Sequence, residues 1–238
     1  MFLAEGVRTL VQAVQHRVGI ERIVVAPELL TSPAGKRVVK QLRIAGTPCL
    51  RVTNEVFHSI SQAEEPQGVA AVIRQRWERL ESVQTSHGLC WIAVDAIRSG
   101  GNLGTIIRTC EAVGAAGVIL IGDCADPFDS TTVRASMGAL FSQHIVRTSL
   151  SEFIDWKRLR SSIPLIGTAI DGATDYHTVR YLPSSLILMG CERKGLPSEL
   201  KQACDILVKI PMVGKVDSLN VGVAAGLMLY EVLNQRNG

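Results

Sequence analysis

The sequence predicts an α/β protein: a parallel sheet covered by helices, preceded by a smaller α/β unit. Three observations lead there. From Cys90 onward, short apolar segments and helical patterns alternate as in βαβ units. The runs GVILIG and SLILMG are apolar without alternation, which requires a sheet buried on both faces. The stretch Glu78 to Gly88 is polar and charged, lacks apolar alternation, and separates this part from what precedes it.

In the first part, Glu5 to His16 places Val7, Leu10, Val11 and Val14 on one helical face. Arg22 to Ala26 reads as a buried strand ended by Pro27. Ser32-Pro33 opens a helix, with Ser as N-cap and Pro in the first turn, running to about Ile44. Gly46-Thr47-Pro48 breaks it, Cys49 to Val52 is a strand, Val56 to Ile60 is ambiguous, and Gly68 to Ile73 is a third strand. We expect a small domain over 1–80, a linker over 81–88 and a large domain over 89–238.

In the large part the expected strands are 90–96, 118–121, 144–146, 165–169, 186–189 and 205–209. The expected helices begin near Leu103, Thr131, Leu150, Pro197 and Ser218, with Ser218 as N-cap of the last. That last helix, Val221 to Leu233, is apolar or small on nearly every side and must be buried all round.

The bulk numbers exclude several classes. With 47% hydrophobic and 20% charged residues over 238 positions, the chain is an ordinary globular protein. No apolar run reaches the roughly 20 residues of a membrane span, and MFLAEGVR does not read as a secretory leader, so a cytoplasmic protein is expected. Six cysteines without a CxxC pair point to free thiols, not disulfides or zinc, and no metal is expected. Net charge is +3, and residues 1–85 hold that surplus, with 11 Lys/Arg against 8 Asp/Glu. The imbalance suits contact with an RNA backbone. The five histidines form no motif.

Three segments carry the chemistry. The first, VDAIRSGGNLGTIIR (94–108), turns from a strand through glycines into a helix, a place where backbone approaches a ligand and an anion is favoured. GGNLG does not match G-x-G-x-x-G, and no P-loop Lys-Ser/Thr follows. Arg108 lies one helical turn beyond Gly104, placed to reach a phosphate. The second, MGCERKGL (189–196), and the third, IPMVGKVDSLNVGVAAG (210–226), follow strands, so both loops sit at carboxyl ends where open α/β sheets bind ligands. Gly190, Ile210, Met212 and Leu219 supply backbone groups and an apolar wall suited to a neutral base with a methionine-like tail.

In this order and at this spacing the segments resemble the three motifs of the SpoU/TrmH family of RNA ribose 2′-O-methyltransferases, sharing Asn102, Gly104, Arg108, Glu192, Ser218 and Asn220. The resemblance implies a SPOUT fold with a C-terminal trefoil knot, which no pattern argument would have proposed. It implies a homodimer whose pocket is completed across the interface. S-adenosylmethionine is then the cofactor, held by Thr168, Gly190, Glu192, Ile210, Met212, Ser218, Leu219 and Asn220. Arg108 is then the catalytic arginine, helped by Asn102, with Glu192, Ser218 and Asn220 at the same centre. Arg134, in RASMG, matches a segment that approaches RNA phosphate. EGVR (5–8) and PQGVAAV (66–72) are similar to the L30e-like substrate-binding domain of relatives. Relatives often have Asp-Pro where this chain has Ser99-Gly100, which predicts a looser turn with the chemistry intact.

An arginine side chain has a pKa near 12.5–13.8, so emptying it at pH 7 costs about 7.5–9 kcal/mol. Arg108 is therefore expected to bind phosphate and orient the 2′-hydroxyl ahead of acting as a base. The reading is a methyltransferase acting on ribosomal or transfer RNA. The alternative is a non-catalytic RNA-binding or ribosome-assembly factor that keeps the fold, against which the intact motif residues argue. A dinucleotide-dependent dehydrogenase lacks its glycine fingerprint here, and a serine hydrolase its G-x-S-x-G turn.

Overall fold

The computed structural model describes residues 1–192 and 194–237; Arg193 of the second motif lies outside them. The small unit contains β1 (Phe2–Glu5), α1 (Val7–Gln15), β2 (Ile20–Val25), α2 (Pro33–Ile44), β3 (Cys49–Arg51), α3 (Asn54–Ile60) and β4 (Val69–Ile73). Its sheet runs β1-β4-β2-β3, with β1 and β2 antiparallel to β4 and β3 parallel to β2. The Ser32 hydroxyl accepts from the Gly35 amide, so the predicted cap and Pro33 start do open α2. Two expectations change. The helix expected from Glu5 starts at Val7, because residues 2–5 form a strand whose partners β4 supplies from the far end of the unit. The ambiguous 56–60 segment is helical, capped by Thr53, with Phe57 buried.

The large unit contains β5 (Trp91–Asp95), α4 (Gly100–Val113), β6 (Gly117–Ile121), α5 (Ser130–Ser136), β7 (His144–Thr148), α6 (Leu150–Arg158) and β8 (Leu165–Thr168). It continues with β9 (Thr174–Asp175), β10 (Leu186–Met189), α7 (Ser198–Ala203), β11 (Ile206–Lys209) and α8 (Val221–Asn237). All seven strands are parallel, in the order β7-β6-β5-β10-β8-β11-β9. The central strands β5, β6 and β10 are buried almost throughout, as runs without alternation demand. β10 inserts between β5 and β8, so the carboxyl ends of β8, β10 and β11 gather at one edge of the sheet.

The segment expected as a linker is strapped to the large unit. Leu80 and Val83 are buried beside Trp91 and Phe153, and Glu78 bridges to Val146 on the β7 side. The two units also share one continuous apolar cluster, and at their junction Phe128 meets Phe2 tilted at 4.9 Å and Trp77 edge-on at 5.1 Å.

Ser99 accepts from the Asn102 amide at 3.3 Å, so a serine caps the start of α4. Gly104 serves packing, not ligand approach. A Cβ there would press on Ala135 and the Thr132 carbonyl of α5 at 2.5 and 2.6 Å. The last helix begins at Val221, not Ser218. Asn220 caps it, its Oδ1 accepting from the Gly222 and Val223 amides at 2.9 and 3.3 Å. Within the one chain α8 is buried on one side. Val221, Ala225, Met228, Leu229 and Val232 face the core, whereas Val223, Leu227 and Tyr230 are 54%, 37% and 49% exposed.

Candidate functional site

A cavity of about 580 Å³ opens where β8, β10 and β11 end, within the size range of small-molecule sites. Thr168 closes β8, and its hydroxyl donates to the Leu188 carbonyl, tying the ends of two neighbouring strands. Past β10, the loop folds back on itself: the Gly195 amide donates to the Cys191 carbonyl at 3.0 Å. A Cβ on Gly190 would overlap the backbone of Gly195, so this turn requires glycine there. Past β11, Ile210, Met212, Asp217, Ser218 and Leu219 form the facing wall, and Val221 and Ala224 of α8 close the back.

One hydrogen-bonded chain ties the three sequence motifs together. Asn220 Oδ1 takes amides from the first turn of α8, and its Nδ2 donates to Asn102 Oδ1 at 3.0 Å. Asn102 Nδ2 in turn donates to Glu192 Oε1 at 2.5 Å. Every bond points the same way, toward the carboxylate. Helix amides fix the Asn220 amide, which fixes that of Asn102, which aims a donor at Glu192. A carboxylate as terminal acceptor strengthens the last bond.

Thr168, Gly190, Glu192, Ile210, Met212, Ser218 and Leu219 all line the cavity. Asn102 and Asn220 stand behind it, reaching it through Glu192. Arg108 does not line it. That side chain is exposed on α4 and, among the described residues, makes no ion pair. Arg134 is exposed as well, but its guanidinium donates to the Gln62 carbonyl of the small unit at 2.6 Å. The arginine expected to meet RNA thus also fastens the two units.

Sequence reasoning missed Asp171 and Lys201, which face the cavity as a pair with Lys201 Nζ at 2.9 and 2.7 Å from the two carboxylate oxygens. The Lys201 hydrogen bond, with a backbone amide and the ammonium charge, holds the Asp171 carboxyl below its ordinary range. Thirty residues separate the two, and no local pattern marks either. Burial pushes the Cys90 and Cys204 thiols up to about 12 and raises Cys110 as well, so these are packing groups, not nucleophiles.

The cavity suits a ligand that is apolar in the middle and cationic at one end. Ile210, Met212, Leu219, Val221 and Ala224 give apolar walls, and Glu192, Asp217 and Asp171 bring three carboxylates. S-adenosylmethionine, with its adenine, sulfonium and ammonium, fits that donor set. Among the described residues no group of three His, Cys, Asp or Glu gathers as a metal site, and no helix is long and apolar enough to cross a membrane.

Comparison with known proteins matches residues 90–230 to the SpoU rRNA methylase family and residues 1–71 to an MRM3-like substrate binding domain. The chain is 32% identical to a 23S rRNA (uridine(2479)-2′-O)-methyltransferase of Streptomyces viridochromogenes, over 99% of this chain and 83% of that one. It is 29% identical to the 23S rRNA (guanosine(2553)-2′-O)-methyltransferase RlmP of Bacillus subtilis, over 97% and 88%. Among solved structures, an AdoMet-bound rRNA methyltransferase from Sinorhizobium meliloti superposes with a TM-score of 0.87 at 36% identity, covering 98% of this chain and 87% of that one. AviRb, a SpoU methyltransferase of S. viridochromogenes in complex with AdoMet, gives 0.89 at 31% identity, covering 100% and 91%.

Proposed function

The chain belongs to the SpoU rRNA methylase family and is an S-adenosylmethionine-dependent RNA 2′-O-methyltransferase, and from that premise we propose that its substrate is ribosomal RNA and that its site divides the labour as follows. Thr168, Gly190, Glu192, Ile210, Met212, Ser218 and Leu219 hold the donor, with Asn220 locking the start of α8 against them. Bound there, S-adenosylmethionine supplies a methyl group on a sulfonium, a leaving group good enough to need no metal. Arg108 binds the phosphate next to the target ribose and orients the 2′-hydroxyl in line with that methyl. As the new oxygen–carbon bond forms, the sulfur–carbon bond would break to leave a neutral thioether, and the 2′-hydroxyl proton would pass to solvent water. Asn102 holds the Glu192 carboxylate in the cavity wall beside the donor.

The chain of bonds from α8 through Asn220 and Asn102 to Glu192 carries this reading. It makes the three motifs one device at the mouth of the cavity. Because Arg108 does not line its own cavity and α8 leaves Val223, Leu227 and Tyr230 in solvent, the working form is a homodimer in which each Arg108 serves its partner's cavity. We carry over the family's C-terminal trefoil knot, which would involve the loops at 190–197 and 210–220. We also keep the division into a substrate-binding domain over 1–80 and a methyltransferase domain over 89–238. Arg134 meets RNA phosphate at their junction, exchanging the Gln62 carbonyl for a phosphate oxygen. The two 23S rRNA enzymes matched over nearly the whole chain support the ribosomal target, which also implies a cytoplasmic protein.

The test is methyl transfer from labelled S-adenosylmethionine to deproteinised 23S ribosomal RNA and, separately, to bulk transfer RNA. Label should enter ribosomal RNA and survive in an alkali-resistant dinucleotide, the mark of a blocked 2′-oxygen. Label confined to transfer RNA would overturn the ribosomal assignment, and label on a base would overturn the chemistry.

A further inference from the structure

The positive surplus of the small unit sits in one segment. Residues 29–54 hold five cations, Lys36, Arg37, Lys40, Arg43 and Arg51, and no Asp or Glu. The rest of residues 1–85 holds six cations and eight carboxylates, so outside this segment the N-terminal part is acidic. Four of the five cations lie on α2, and all four are exposed. Lys36, Lys40 and Arg43 recur at i, i+4 and i+7, forming one stripe roughly 10 Å long at 1.5 Å per residue, with Arg37 beside it. The opposite face of α2, Val38, Val39 and Leu42, is buried in the core. Among the described residues none of the four cations makes an ion pair.

This arrangement works against the helix that carries it. Like charges three and four residues apart repel, and Lys36 and Arg37 stand toward the N-terminal end, where the helix dipole favours carboxylates. A helix shaped for stability alone would interleave Glu with these cations. An anionic partner reverses the sign of every one of those interactions. The stripe also lies away from the domain junction. α1 carries Gln12, which abuts Gly138 of the large unit, and α2 packs on α1 through Gly35 against Val7.

We propose that the outer face of α2 is a docking surface for the sugar-phosphate backbone of the RNA substrate, at a point remote from the ribose that is methylated. The proposal rests on the ribosomal-RNA reading above and adds the surface through which that RNA is gripped. Cations on a rigid helix hold phosphates without reading bases. Target choice then follows from whether a folded RNA spans α2 and the cavity together.

The test compares the protein with a variant carrying Lys36→Gln, Arg37→Gln, Lys40→Gln and Arg43→Gln, binding deproteinised 23S ribosomal RNA across a salt series. At about 0.7 counterions released per phosphate, losing four contacts should lower the slope of log affinity against log salt by about 2 to 3. The KM for RNA should rise at least tenfold at low salt, with kcat at saturating RNA and the affinity for S-adenosylmethionine unchanged. Lys36→Arg with Lys40→Arg should keep the parent slope. Should the quadruple variant unfold, Lys40→Glu alone provides the comparison, with a smaller change in slope. Equal slopes and equal KM in parent and variant overturn the proposal. So does a loss of binding to phosphatidylglycerol vesicles with RNA binding intact, which would assign the face to a lipid surface. A parent protein that neither binds nor methylates ribosomal RNA overturns the ribosomal reading itself, a result distinct from an unchanged variant.

Discussion

The donor cavity and the outer surface of α4 and α8 adjoin at the start of α8, which closes the back of the one and borders the other, yet one is finished and the other is not. The cavity has its walls, its glycine turn and a hydrogen-bonded brace, all from a single chain. The outer surface leaves Arg108 without an ion pair among the described residues, beside a helix that shows Val223, Leu227 and Tyr230 to water. Valine, leucine and tyrosine at i, i+4 and i+7 make a continuous apolar stripe, and such a stripe marks a surface meant to be covered. On the proposed reading, gripping the donor and using it are separable: one folded chain supplies the first, and a second copy supplies the arginine for the second.

The sharpest break between the two regions is Arg108→Ala. Removing a single charged donor from a transition state costs about 10²–10³ in kcat, while calorimetry should find the affinity for S-adenosylmethionine unchanged. A parallel loss of donor affinity would place Arg108 in its own cavity and end the comparison. Arg108→Lys then asks whether a point charge replaces the planar fork. Mixing Arg108→Ala with Gly190→Val, whose added atoms collide with the Gly195 backbone, tests the sharing directly. If each arginine serves its partner, the mixture of two inactive proteins should recover about a quarter of wild-type activity, from one sound site in half of the dimers. A mixture that stays inactive argues for an arginine acting within its own chain.

Next in size is Leu227→Glu on the open stripe of α8. Burying an unpaired carboxylate costs well over the 1.4 kcal/mol that a factor of ten represents. Sedimentation should therefore show monomers, and methyl transfer should fall at least tenfold. Donor affinity should stay within about twofold, since this residue lines no part of the cavity. Monomers that keep full activity would remove the need for a second copy.

The same contrast describes what could be read from the sequence. The parallel sheet was legible because its strands are locally apolar, and the cavity because two of its walls follow short motifs at the ends of β10 and β11. Features made by distant residues were not. β1 exists because β4 pairs with it some seventy residues later. The Asp171–Lys201 pair joins a strand-end loop to a helix. The Arg134–Gln62 bond crosses two units. Leu80 and Val83 looked like part of a polar linker because two apolar residues among charges carry no periodicity, yet both are buried. Ser218 was a plausible helix cap, but Asn220 offers one amide with both a donor and an acceptor, so it caps α8 and reaches Asn102 together. Only the fold places Asn102 within its reach.

Asn102→Ala probes the brace from the cavity side. It leaves the half-buried Glu192 carboxylate and the exposed Asn220 amide each short of a partner. Losing such bonds costs about 1–3 kcal/mol, so the melting temperature should drop by several degrees and donor affinity by about tenfold. A variant with unaltered melting and donor binding would show that the cavity walls hold without the brace, and that Asn102 acts on the RNA side alone.

The smallest effect lies at the cavity rim, where Lys201 holds Asp171. The Lys201 hydrogen bond depresses the Asp171 carboxyl below its ordinary value of 3.8. Whatever the pair contributes is therefore fully present above about pH 4 and disappears only as pH falls through the lowered folded value. Between pH 5 and 8 this pair should add no slope to donor affinity. Below pH 4 affinity should decline, and Lys201→Met should move the onset of that decline upward, toward the ordinary carboxylate value. Both groups are open to solvent at the rim, so salt screens the pair and the change should stay within about threefold. A decline already evident at pH 6 in the parent protein, and absent in Asp171→Asn, would mean that the carboxyl is raised instead. The ammonium would then have some other partner when the donor is bound.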